Sequence, residues 1–246
     1  MMRFDRLCVV IPCHNEEACI DNVLAELEQR LPGATLAVVD DASTDRSREI
    51  IRKRLGERCI LLALPFNLGI GGAVQTGLRY AEQNGFEYAV KFDGDGQHPA
   101  SGIEALLKPL ETGEADLTIG ARFLEGNRGY HSTFSRRIGI LIFELLNSLL
   151  IGQWITDNTS GFRAYNRQAL EFAAQYYPSF DYPEPEEVIL MARNGYRIRE
   201  VSVEMLARQG GRSSIGKRRA VYYMCKVIFA VLMAAIRPRI RRKEQK

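Results

Sequence analysis

Two aspartates one residue apart, Asp93 and Asp95, follow the apolar run Tyr88–Phe92 on a turn with Gly94 and Gly96. Carboxylates at this spacing can both face a single hard cation, and oxygen donors suit Mg²⁺ or Mn²⁺. A cation held there can bridge a diphosphate and offset its charge as it departs. A lone Asp-x-Asp also fits a solvated Asp–Gly turn. Its place at a strand end, with matching polar loops elsewhere, favours the cation. A calcium loop fits less well. Asp93, Asp95 and Gln97 alternate and Glu104 falls where a bidentate ligand would, but His98 stands at the required glycine and Pro99 follows.

Two further polar loops follow apolar runs in the same way. Leu7–Ile11 runs into Pro12-Cys-His-Asn-Glu16, and Thr35–Val39 into Asp40-Asp41-Ala-Ser-Thr-Asp45. A carboxylate such as Asp41 at a strand end can bind the base or ribose of a nucleotide, while Ser43 or Asp45 could simply cap the next helix. The segment Asn67-Leu-Gly69-Ile-Gly71-Gly72-Ala-Val74 nearly matches a dinucleotide fingerprint. Val74 replaces the third glycine, and the segment follows the third apolar run, not the first, so a glycine-assisted turn or a donor-site loop fits better. P-loop, HExxH and nucleophile-elbow motifs are absent.

The elements that must position these loops alternate. Apolar runs at Leu7–Ile11, Thr35–Val39, Cys59–Leu64, Tyr88–Phe92 and Leu117–Gly120 are separated by helical patterns at Glu17–Leu31, Thr44–Leu55, Gly72–Asn84 and Ser101–Leu110. This predicts an α/β fold: βαβ units and a mainly parallel sheet flanked by helices, whose ligands bind where strands end. Ser160–Tyr165 and Arg197–Val203 read as further strands, and Glu186–Asn194 as a helix closed by Gly195. Ile138–Ile151 and Val221–Ile236 are apolar stretches, the second followed by a basic tail from Arg237 to Lys243. We expect a catalytic domain over 1–210 and, over 211–246, an apolar helix with that tail.

The length of 246 residues suits one large α/β domain. A formal charge of +3 is too small to argue for nucleic acid. The five cysteines are scattered and odd in number, without CxxC spacing, and no signal peptide is visible. Reduced thiols in a cytoplasmic setting are expected.

Taken in order, the loops resemble the family 2 glycosyltransferases of GT-A fold, and most the branch of dolichyl-phosphate mannose synthases and polyprenyl-phosphate sugar transferases. The matching pieces are Ile11-Pro-Cys-His-Asn-Glu16, Val39-Asp-Asp-Ala-Ser-Thr-Asp45, Asn67-Leu-Gly69, Asp93-Gly-Asp-Gly-Gln-His-Pro99, Gly120-Ala-Arg122, Thr159-Ser-Gly-Phe-Arg163 and Arg208-Gln-Gly-Gly211-Arg-Ser213. The resemblance implies that Pro12, His14 and Glu16 form the first donor-nucleotide loop and that Val39 and Asp41 meet base and ribose. It makes Asp93 and Asp95 the metal and diphosphate site, with Gln97 as third ligand and Gly94 and Ser213 among the donor contacts. Arg122 and Arg208 would clamp phosphate, for which the planar guanidinium fork is suited. Two places depart from the branch. Ser214 stands where a lysine is common, and Ile138-Gly-Ile-Leu141 follows Arg136-Arg137 where a serine is common. The Gln-x-x-Arg-Trp signature of processive synthases is absent.

The implied reaction is one inverting displacement from a nucleotide-diphosphate sugar to a polyprenyl phosphate, an acceptor already ionised near neutral pH. A sugar or small-molecule hydroxyl acceptor would instead need a base; Asp157 is the first candidate, then Glu184 and Glu186. A catalytically silent sugar-nucleotide binding subunit is the rival from another class. Val221–Ile236 falls short of the about 20 apolar residues that span a bilayer and contains Lys226, so a helix lying at the cytoplasmic membrane surface is expected. The alternative is that both apolar stretches are core or dimer helices. The sequence gives no basis for an oligomeric state.

Overall fold

The computed structural model describes residues 4–122, 124, 145, 147–178, 183–204 and 217–240, with side chains of the last segment described from Lys226 onward. Arg208, Ser213, Ser214, Arg136, Arg137 and the tail beyond Ile240 lie outside the described residues, as does most of Ile138–Ile151.

The strands are β1 (Leu7–Cys13), β2 (Thr35–Asp40), β3 (Cys59–Ala63), β4 (Tyr88–Lys91), β5 (Leu117–Ala121), β6 (Arg163–Tyr165) and β7 (Ile198–Ser202). They form one sheet in the order β3-β2-β1-β4-β6-β5-β7. β6 alone runs against its neighbours β4 and β5, and the remaining pairings are parallel. The expected mainly parallel sheet is therefore observed. The chain builds outward from β1 to β3, then returns to place β4 on the other side of β1. That reversal opens a crevice beyond the carboxyl ends of β1 and β4.

The helices are α1 (Ile20–Arg30), α2 (Ser47–Lys53), α3 (Gly69–Gln83), α4 (Gly102–Glu111), α5 (Arg167–Tyr176), α6 (Glu184–Arg193) and α7 (Lys217–Ile236). Alternate residues of β1 face opposite ways. Cys8 and Val10 join the core under α3, α5, α6 and α7, while Leu7, Val9 and Ile11 join the core under α1 and α4. α3 lies so close to the sheet that a Cβ at Gly77 would come within 2.2 Å of Val10 Cγ1. The four described cysteines are buried, and burial pushes the Cys13 thiol up to about 12.

α1 and α2 begin later than the periodicity suggests, because the polar side chains before them engage backbone amides of the two loops. Asn15 Oδ1 accepts from Thr44 N (2.8 Å), Asp45 Oδ2 from Glu17 N (3.1 Å) and Asp45 Oδ1 from Ser47 N (2.9 Å). Such bonds compete with the helical ladder. α5 has no counterpart in the expected elements, although Asn166 caps it through Ala169 N at 2.9 Å. α7 buries Val227, Val231 and Ala234 and exposes Phe229, Leu232, Met233 and Ile236. No described helix is long and apolar enough to cross a membrane.

Candidate functional site

The crevice is lined by the loops after β1, β2, β3 and β4. β4 ends at Lys91, Phe92 N still bonds Val10 O (3.0 Å), and the chain then turns through Asp93–Pro99. Asp95 is 7% exposed, and its Oδ1 accepts from Gln97 N at 3.1 Å, which fixes the turn. Asp93 Oδ2 lies 3.0 Å from His98 Nε2. Gly94 abuts the first loop, since a Cβ there would stand 3.2 Å from Pro12 O.

The first three loops are clasped. His14 Nδ1 lies 2.7 Å from Asp41 O and 3.2 Å from Asn67 Nδ2. Asp41, nearly buried, accepts from Leu68 N at 2.6 Å. Glu16 N donates to Ser47 Oγ at 2.8 Å. Asp40 is wholly buried and held by Arg48 and by Ser43 N (3.1 Å), so it braces the loop. The structure thus gathers Pro12, His14, Glu16, Asp41, Gly94, Asp93, Asp95 and Gln97 at one end of the sheet. Val39 is placed differently. It lies inside β2 with its side chain fully buried in the core.

Arg122 and Asp157 form a pair at the end of β5. Asp157 is fully buried, and Arg122 grips it with Nε to Oδ2 and Nη2 to Oδ1, both at 2.7 Å. Asp157 Oδ2 also accepts from Arg122 N at 3.0 Å, and Oδ1 from Thr159 Oγ1 at 3.2 Å. Both carboxylate oxygens are thereby committed, and Asp157 orients Arg122. The loop onward to β6 joins this pair to the aspartate turn: Arg122 Nη2 donates to Thr159 Oγ1 (2.7 Å), and two residues later Gly161 faces Asp93.

A buried charged network lies beneath the site. Lys91 and Arg163 are direct cross-strand partners on β4 and β6. Lys91 Nζ meets Glu184 Oε1 at 2.5 Å, and Arg163 Nη1 meets Glu187 Oε2 at 2.7 Å, the two acids lying one turn apart on α6. Tyr165 donates to Glu187 Oε1 at 2.8 Å, and Arg163 also bonds Ser160 O and Asn158 O, both at 2.9 Å. Burial pulls the Lys91 ammonium pKa down, but Glu184 and Asp93 outweigh it and the net shift is upward. The signal for this network was present: lysine and arginine interrupt otherwise apolar strands, and Pro183-Glu-Pro-Glu-Glu187 opens the facing helix.

The aspartate turn fits a divalent cation of the Mg²⁺ or Mn²⁺ kind. It offers hard oxygen donors, and at Gly161 a Cβ would come within 2.8 Å of Asp93 Oδ2, so a side chain there would displace that carboxylate. Among the described residues no three His, Cys, Asp or Glu side chains converge as ligands. A cavity of about 360 Å³ lined by Glu28, Leu36, Arg54 and Cys59 sits at the starts of β2 and β3, the opposite end of the strands from these loops.

The glycosyl transferase family 2 model matches residues 8–172. The UDP-N-acetylglucosamine–dolichyl-phosphate N-acetylglucosaminyltransferase of Methanococcus voltae is 27% identical, over 80% of this chain and 84% of that protein. The undecaprenyl-phosphate mannosyltransferase of Micrococcus luteus is 29% identical, over 85% and 87%. Glucosyl-3-phosphoglycerate synthase from Mycobacterium tuberculosis, solved with Mn²⁺, uridine diphosphate and phosphoglyceric acid, superposes with a TM-score of 0.71 at 23% identity, covering 94% of this chain and 79% of that one. The architecture is thus of the GT-A type, and the chain belongs to glycosyl transferase family 2.

Proposed function

We propose that this chain transfers a sugar from a nucleotide-diphosphate sugar to a polyprenyl phosphate by a single inverting displacement. The observation that carries the acceptor class is the state of two of the three carboxylates named as candidate bases. Asp157 is locked in the Arg122 fork and Glu184 is paired with buried Lys91. A hydroxyl acceptor must lose its proton in the reaction, whereas a lipid phosphate arrives ionised and needs no base. The relatives from Methanococcus voltae and Micrococcus luteus carry dolichyl phosphate and undecaprenyl phosphate in their names, which supports the same class.

In this proposal Asp93 and Asp95 would hold Mg²⁺ or Mn²⁺, with Gln97 as a further oxygen donor. When bound, the cation offsets charge on the departing nucleoside diphosphate. His14 and Asp41 flank the nucleoside. Arg122, aimed by Asp157, and Arg208 contact the diphosphate. The test is a screen of UDP- and GDP-sugars against short-chain polyprenyl phosphate and simple sugars, read by mass spectrometry. A polyprenyl-phosphate sugar product is expected; a product formed on sugar hydroxyls alone refutes the acceptor assignment.

A lipid acceptor requires access to a membrane surface, and α7 suits one. Phe229, Leu232, Met233 and Ile236 follow helical spacing on the face opposite Val227, Val231 and Ala234. Phe229 and Ile236 are 66% and 73% exposed, and Arg237 and Arg239 follow directly. An apolar stripe beside cations fits the interface of an anionic, cytoplasmic-type leaflet. The full chain is expected to co-sediment with phosphatidylglycerol vesicles, and Phe229→Glu with Ile236→Glu to remain in the supernatant. Equal sedimentation of both proteins would remove the membrane assignment.

A further inference from the structure

We infer that His98 is a positioning residue for Asp93: it grips Oδ2 and so fixes the orientation of the carboxylate that would meet the cation. The inference rests on the metal assignment made above for Asp93 and Asp95.

His98 is 3% exposed, so its ring is removed from water. It stacks on Phe162 at 4.8 Å and 26°, and meets Phe92 edge-on at 5.7 Å. Phe92 and Phe162 themselves meet edge-to-face at 5.7 Å. A third hydrocarbon ring would fill this cluster without burying a polar atom. The imidazole is the costlier occupant, since its Nδ1 is buried and bonds none of the described residues. What the imidazole adds is the 3.0 Å contact from Nε2 to Asp93 Oδ2. An ionised carboxylate only accepts, so the tautomer is assigned with the proton on Nε2 and His98 donating.

The opposite side of the same oxygen is also closed. The Gly161 position lies close enough that a Cβ would reach within 2.8 Å of Oδ2 and 3.3 Å of Lys91 Nζ. A histidine, a bare backbone and a buried lysine therefore surround the Asp93 carboxylate, whose Oδ1 is buried while the side chain as a whole keeps 31% exposure. The stack on Phe162 fixes the ring, the ring fixes Oδ2, and the carboxylate plane follows. Groups that orient a metal ligand in this way govern affinity without touching the ion.

Two variants separate the donor from the ring. His98→Phe keeps the aromatic stack and removes the donor. His98→Gln sacrifices the stack, but its amide can reach the place of Nε2. Binding of Mn²⁺ alone to the full chain is read by electron paramagnetic resonance, and folding by the thermal midpoint. His98→Phe is expected to weaken Mn²⁺ binding about 10- to 100-fold with the midpoint retained. His98→Gln is expected to bind Mn²⁺ more tightly than His98→Phe even where its midpoint falls. Wild-type Mn²⁺ affinity in His98→Phe, or weaker binding in His98→Gln than in His98→Phe, overturns the inference while leaving the metal assignment standing. If the wild-type chain binds Mn²⁺ no better than Asp93→Asn with Asp95→Asn, both fall together.

Discussion

Replacing Asp93 and Asp95 together by asparagine is expected to reduce sugar transfer by about 10³-fold or more, equivalent to ~4 kcal/mol of transition-state stabilisation. The fold should survive. Asparagine conserves shape, the Asp93 side chain is 31% exposed, and an asparagine at 95 can still accept from Gln97 N through its carbonyl oxygen. Lys91 keeps Glu184 as its partner after the Asp93 charge is removed. The loss should therefore appear in product formed per unit time and not in the thermal midpoint. Undiminished turnover by the double variant in the presence of a chelator would end the metal-assisted assignment.

The second large effect concerns stability. Arg163 is fully buried with Glu187, and it bonds the backbone of the loop that carries Gly161. Arg163→Met leaves Glu187 buried without its cation, which is expected to cost about 3–5 kcal/mol. The midpoint of urea unfolding should fall accordingly. Adding Glu187→Leu should recover part of the loss, because two uncharged partners are less costly than one stranded carboxylate. A cost below about 1 kcal/mol for Arg163→Met would show that the pair does not hold α6 to the sheet as described.

Much of this architecture was legible because β1 and β2 are buried on both faces and read as unbroken apolar runs. Each run stops at a polar loop, and these loops line the crevice. The parts that were not legible depend on pairing across the sheet. Nothing local in the sequence says that Lys91 stands opposite Arg163 or that both meet α6, since that register is set by long-range packing. For the same reason Asp157 reads as a candidate base in isolation, while in three dimensions it lies in the Arg122 fork. Val39 matches a motif by position, yet the pleat of β2 directs its side chain into the core. α5 carries local signals of its own, the Asn166 cap and apolar residues at helical spacing, yet it has no counterpart among the expected elements.

The lone reversed strand has an evolutionary corollary. The chain departs from the sheet at Ala121 and rejoins it at Arg163 on the same rim, because β5 and β6 are antiparallel neighbours. A connection between neighbouring strand ends can lengthen or shorten without re-threading β1 to β4. Under the proposed reaction, a change of acceptor can therefore be built into this connection with the strand order of β1 to β4 unchanged.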